Sequence, residues 1–135
     1  MNLKIVNNEY EVSIADDPVR KDLDFNFRTT EGRRIYTIPN KSVVCTANTI
    51  KLPKTIKQLM KYTKEDTKEF TIFYTLWSYE KGFGRLILNY LLPNLNTKRF
   101  VTLSPKTDMA YKFHTKNGAT LVSTNRTSYN FEYFR

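Results

Sequence analysis

Residues 70–118 leave this chain the least freedom, because they read in order as strand, glycine turn, helix, strand and helix. The run FTIFYTLWS is an apolar strand, rich in the aromatic and β-branched residues that suit a pleated surface. KGFGR follows, and the leucine-rich stretch from Gly84 carries a helix that stops near Pro93, which has no N–H to continue the bonding. A second strand occupies 99–103, and a helix over 107–116 ends at Asn117 and Gly118. A strand that turns through glycines into a helix leaves the first helical N–H groups and the positive end of the helix dipole unpaired. An anionic phosphate suits that place. The order of elements therefore predicts a site for a phosphate-bearing ligand.

The rest of the chain reads less sharply. LKIV and YEVSI predict two short strands around an Asn-rich turn, and DDPVRKDLDFNFR predicts one or two short helices with Pro18 in a first turn. RRIYTI and SVVCTANTI, joined by PNKS, predict an antiparallel hairpin lying mid-sheet. PKTIKQLMKYTK places Ile56, Leu59 and Met60 on one helical face, with Lys57 and Lys61 on a solvated basic one. TLVSTN and SYNFEYF predict a closing antiparallel pair, whose Tyr129, Phe131, Tyr133 and Phe134 offer a surface for dimer packing; the expectation is a monomer or homodimer.

At 135 residues the chain suits one domain spanning 1–135, and 40% apolar with 26% charged residues is a globular composition. It has no apolar run approaching roughly 18 residues and no secretory leader pattern at its start, which predicts a soluble, cytoplasmic protein with no membrane partner. Cys45 stands alone in an apolar run, so disulfides and cysteine-based zinc sites within the chain are excluded and a buried, inert thiol is expected. The net charge of +9 favours anionic partners: coenzyme A, nucleic acid or an acidic protein. No RNA-binding aromatic motif, helix-turn-helix pattern or zinc-finger spacing supports the nucleic-acid option.

In KGFGRL, Gly82 and Gly84 allow a sharp turn and close backbone approach, the amides of Phe83, Gly84 and Arg85 point toward an anion, and Lys81 and Arg85 add charge. The turn is not a Walker loop, since no Gly-Lys-Ser/Thr is present, and it lacks the third glycine of a dinucleotide fingerprint. Strand, KGFGR, helix, strand, helix and GA together resemble the GNAT superfamily of N-acetyltransferases. Gly82 and Gly84 match the two small positions of that family's turn, while Tyr79 stands where the family usually has Arg or Gln. A closer, partial similarity is to the C-terminal domain of malonyl-CoA decarboxylase, through FYT, TLSP and FHTKNGA.

Over residues 33–135 the resemblance implies an α+β fold: a mixed, mostly antiparallel central sheet with a splayed parallel strand pair and helices on both faces. It implies an acyl-CoA, acetyl-CoA or malonyl-CoA, in the wedge between 70–78 and 99–104. The pantetheine would pair with strand backbone near Leu76, Trp77 and Ser78, and the diphosphate would rest on Lys81, Gly82, Phe83, Gly84 and Arg85. His114 takes the place of the family's general-acid tyrosine relative to Gly118, and as the only histidine it must carry any imidazole chemistry. Tyr111, three residues earlier, is the reserve acid. Ser104 either bonds a ligand thioester or starts the turn before the next helix. Asp108 and Glu80 are read as answers to helix dipoles rather than as bases.

Three functions follow from the resemblance. The first is N-acyl transfer from acetyl-CoA to an amine by direct attack, with His114 protonating the departing sulfur. In the second, malonyl-CoA is decarboxylated and His114 protonates the enolate. The third is a degenerate acetyltransferase fold that binds nucleic acid or protein through its basic surface.

Overall fold

The computed structural model describes residues 2–134. Its eight strands are β1 (Lys4–Ile5), β2 (Arg33–Ile38), β3 (Ser42–Thr49), β4 (Phe70–Ser78), β5 (Arg99–Thr102), β6 (Ser104–Pro105), β7 (Thr120–Thr124) and β8 (Ser128–Tyr133). Four α-helices accompany them: α1 (Phe25–Thr29), α2 (Ile56–Tyr62), α3 (Phe83–Leu91) and α4 (Asp108–Lys116). The strands form one sheet, ordered β1-β2-β3-β4-β5, after which β8 pairs with β5 and then β6 on one edge and with β7 on the other. Every pairing is antiparallel except β4 with β5.

The β2–β3 hairpin turns through Asn40, whose φ of 66° is a left-handed conformation that asparagine tolerates. Strands β3 and β4 are buried along nearly their whole length, which is why their sequences are apolar runs rather than alternations. Opposite Cys45 and Thr46 the register skips Tyr74, so β4 carries one extra residue there. Such a bulge bends and twists the strand that holds it.

Helices cover both faces. Phe25 and Phe27 of α1 and Ile56 and Leu59 of α2 pack with Ile35, Ile72, Tyr74 and Val101 on one side. Ile87, Leu88 and Leu91 of α3 and Phe113 of α4 pack with Phe73, Phe100 and Phe131 on the other. This is the mixed sheet with one parallel pair and two helical layers that the resemblance implied.

Four local expectations are corrected. YEVSI forms no strand: the Glu11 carboxylate accepts from the Asn7 and Asn8 amides and pairs with Lys4, which curls the segment into turns that leave Tyr10 90% exposed. Pro18 starts no helix, because Asp17 gathers the Val19 and Arg20 amides into a turn, and α1 begins only after Asp24 caps it. Met60 is 55% exposed: α2 is two turns long, and its buried stripe follows Ile56, Leu59 and half-buried Tyr62. Finally, β8 is an interior strand with Phe131 and Tyr133 buried, so of the proposed dimer surface only Phe134 is exposed and Tyr129 is partly covered.

Candidate active site

The parallel ladder of β4 with β5 runs from Phe70↔Arg99 to Phe73↔Thr102, with one further bond from the Leu103 amide to the Phe73 carbonyl. There it stops. The bulge at Tyr74 turns β4 one way, and β6 continues along β8 the other way, so residues 74–78 leave β5. Arg20 fills the fork, donating from Nε to the Tyr74 carbonyl at 3.0 Å and from Nη2 to the Leu103 carbonyl at 2.8 Å. A planar guanidinium with several donors can bridge two backbones that no longer reach each other.

Arg20 is held from behind. Asp17, fully buried, accepts from the Val19 and Arg20 amides, from the Thr75 hydroxyl at 2.8 Å and from Arg28 at 2.7 Å. Arg28, also fully buried, donates to the Leu23 and Arg20 carbonyls as well. Burial alone would raise the Asp17 pKa; the bonds from Val19, Arg28, Arg20 and Thr75 outweigh it and hold the carboxyl below its ordinary range. Cys45 touches Arg28 at 3.6 Å from this same cluster, and burial pushes its thiol up to about 12, so it is the inert thiol its sequence context suggests.

Beyond the fork lies a cleft of about 360 Å³. Its walls are β4 from Phe73 to Ser78, Gly84 and Leu88 of α3, Leu103, Ser104 and Pro105, the α4 face carrying Met109, Ala110, Phe113 and His114, and Pro18 and Val19 at one side. Gly82 precedes α3 with φ 89°, a conformation that an L side chain resists, and no atom lies within 4 Å of where its Cβ would stand. Gly84 serves differently: a Cβ there would meet Phe113 Cζ at 3.2 Å and Leu76 Cδ2 at 3.7 Å, so its absence lets α3 and α4 close around the cleft.

The Phe83 amide is engaged by the Glu80 carbonyl in the turn, which removes one of the three donors expected there. The amides of Gly84 and Arg85 meet no acceptor among the described residues. Lys81 and Arg85 are exposed and pair with no carboxylate among the described residues, whereas Glu80 is paired by Lys41. The donor set thus suits an anion at the mouth of the cleft. Tyr79 points its hydroxyl away to Asp16 at 2.6 Å and accepts from the Trp77 indole. It ties β4 to the preceding turn.

On the opposite wall His114 is half-buried among rings: Phe131 is 5.1 Å away and tilted, Phe113 is edge-on at 5.1 Å, and Tyr133 is at 5.7 Å. This dry packing pulls its pKa down to about 4, so the imidazole is neutral at ordinary pH rather than poised near neutrality. Its Nδ1 lies 2.6 Å from the Tyr133 hydroxyl.

Leu76, Trp77, Ser78, Gly84, Ser104 and His114 thus meet in one cleft, with Lys81, Gly82, Phe83 and Arg85 in the loop at its mouth. The Ser104 hydroxyl is buried and donates to Thr102 Oγ1 at 2.8 Å, which leaves it lone pairs but no free proton. Tyr111 is outside the cleft, 42% exposed, with its ring against Tyr129 and Phe131. Sequence reasoning missed Arg20, Asp17, Arg28 and Tyr133. No spacing rule joins them, and only the unusual density of charge in DDPVRKD marks the first two.

No protein-family profile and no curated protein matches this sequence. Among solved structures the chain is similar to malonyl-CoA decarboxylase from Agrobacterium vitis, with a TM-score of 0.63 and 19% identity over 90% of this chain and 38% of that one. It is similar also to malonyl-CoA decarboxylase from Cupriavidus metallidurans, with a TM-score of 0.56 and 19% identity over 84% of this chain and 33% of that one. The chain therefore spans about a third of the length of either enzyme, and what it shares with them is the fold. Among the described residues no helix is long and apolar enough to cross a membrane.

Proposed function

We propose that the chain binds an acyl-CoA in the cleft beyond the β4–β5 fork and decarboxylates a malonyl-type acyl group there. One observation carries the reading: the edge of β4 released after Phe73 lies in the same cleft as the only imidazole, with unpaired amides and two cations at its mouth. An extended pantetheine arm pairs with a free strand edge as another strand would, and its diphosphate suits the start of α3.

In the reaction, the bond between the α-carbon and the carboxylate breaks and carbon dioxide leaves. The electron pair passes into the thioester, giving an enolate whose α-carbon then takes a proton from water. The apolar walls strip water from the carboxylate, which favours the neutral product. A neutral imidazole N–H from His114 stabilises the enolate oxygen as a preorganised donor.

Transfer of an acyl group to an amine would use the same cofactor site and ranks second. No Asp or Glu lines the cleft among the described residues to hold an ammonium or take its proton. The similarity to malonyl-CoA decarboxylases also supports the first reading. Incubation of the purified chain with malonyl-CoA, followed by chromatography of the thioesters, tests it. Acetyl-CoA formed without added amine is the expected product; unchanged malonyl-CoA, alongside free coenzyme A released from acetyl-CoA by an amine, would reverse the ranking.

A further inference from the structure

We infer that Tyr133, which the sequence presents only as packing in the last strand, fixes the proton of His114 on Nε2 and so makes His114 a one-way donor into the cleft. The inference relies on the acyl-CoA reading only for what occupies the cleft.

The geometry comes from the sheet register. Tyr133 lies opposite Phe100 on β8, directly beneath α4, and its hydroxyl meets His114 Nδ1 at 2.6 Å. Both groups lie in an apolar setting formed by Phe73, Phe113 and Phe131. The Tyr133 hydroxyl has one proton to donate, and Nδ1 is its hydrogen-bond partner among the described residues.

If Nδ1 carried the ring proton, the tyrosine proton would be left without an acceptor in a buried place. A buried donor left without an acceptor is unfavourable. With the tyrosine donating, Nδ1 accepts and the ring proton resides on Nε2, which is not sealed off like the tyrosine proton, since His114 lines the cleft and leaves it to solvent or ligand. Burial raises the Tyr133 pKa, which keeps the phenol protonated and able to donate. The partner of one ring nitrogen thereby decides what the other offers a ligand. Tyr133 touches no reacting atom in this scheme and acts as a positioning residue.

Because the chain has one histidine, its ring nitrogens can be read directly by two-bond ¹H–¹⁵N correlation spectra of the untagged, uniformly labelled protein at pH 7. The wild type should show a single tautomer with Nε2 protonated and Nδ1 bare. Tyr133→Phe, which keeps the ring and its packing, should lose that pattern and give shifts averaged between the two tautomers. A wild-type spectrum with Nδ1 protonated would overturn the inference, as would a Tyr133→Phe spectrum identical to wild type. None of these outcomes depends on turnover, so absence of malonyl-CoA decarboxylation would count against the functional proposal alone. Circular dichroism of the variant checks that the sheet is intact.

Discussion

Residues 70–73 and 74–78 belong to one strand and do opposite things. The first four are zipped to β5 by a regular parallel ladder, whereas the last five face a cleft. Composition does not separate them, since FTIF and YTLWS are equally suited to a strand. What separates them is a single extra residue at Tyr74 and a guanidinium from 54 positions earlier that caps both parted backbones. A free strand edge is thus made by stopping a ladder and satisfying its last carbonyls from elsewhere, so that the strand end does not close on its neighbour.

The contrast can be broken most severely from behind Arg20. Asp17→Ala strands the Arg28 charge in the core and should cost about 3–5 kcal/mol in urea unfolding. Asp17→Leu combined with Arg28→Met should recover much of that loss, because the pair is removed together. His114→Ala acts on the cleft beside the released half: turnover should fall about a hundredfold or more, the loss of one preorganised donor, while coenzyme A affinity by calorimetry is retained. Arg20→Met removes two charged hydrogen bonds at the fork, roughly 1.5–3 kcal/mol each at most, and should weaken coenzyme A binding more than it lowers the melting temperature.

Smaller effects sharpen the picture. The folded His114 titrates near 4 against 6.5 for a free imidazole, so between these values the unfolded chain binds the extra proton. Stability should therefore rise with pH across that window, and His114→Gln should flatten the slope measured by thermal melts. Gly82→Ala places a Cβ at φ 89° in open space and should cost only about 1–2 kcal/mol, from backbone strain alone.

Much of the chain from Arg33 onward was legible from residue order. The 70–78 strand, the glycine turn, α4 with its stop at Asn117 and the β2–β3 hairpin follow from local chemistry, and local chemistry is what periodicity and turn residues record. In the first 30 residues β1 and α1 were legible, but YEVSI and Pro18 were not, because Glu11 and Asp17 spend their carboxylates on backbone amides and on distant partners. A sequence shows an acidic residue but not what it will cap. The site was half legible for the same reason. Gly84 and His114 sit in recognisable patterns, but the structural reason for Gly84 is Phe113, 29 positions away in the chain, and the partner of His114 is set by sheet register. Tyr133 and Tyr111 are chemically identical in the sequence; the pairing of β8 with β5 places one beside the imidazole, while the other faces outward.

The released half of β4 is the central feature, and a crystal structure of the chain with coenzyme A tests it most directly. The pantetheine arm should run beside residues 74–78, with the diphosphate at the Gly84 and Arg85 amides. Coenzyme A seated elsewhere on the molecule, or a β4 that stays zipped to β5 as far as Ser78, would contradict it.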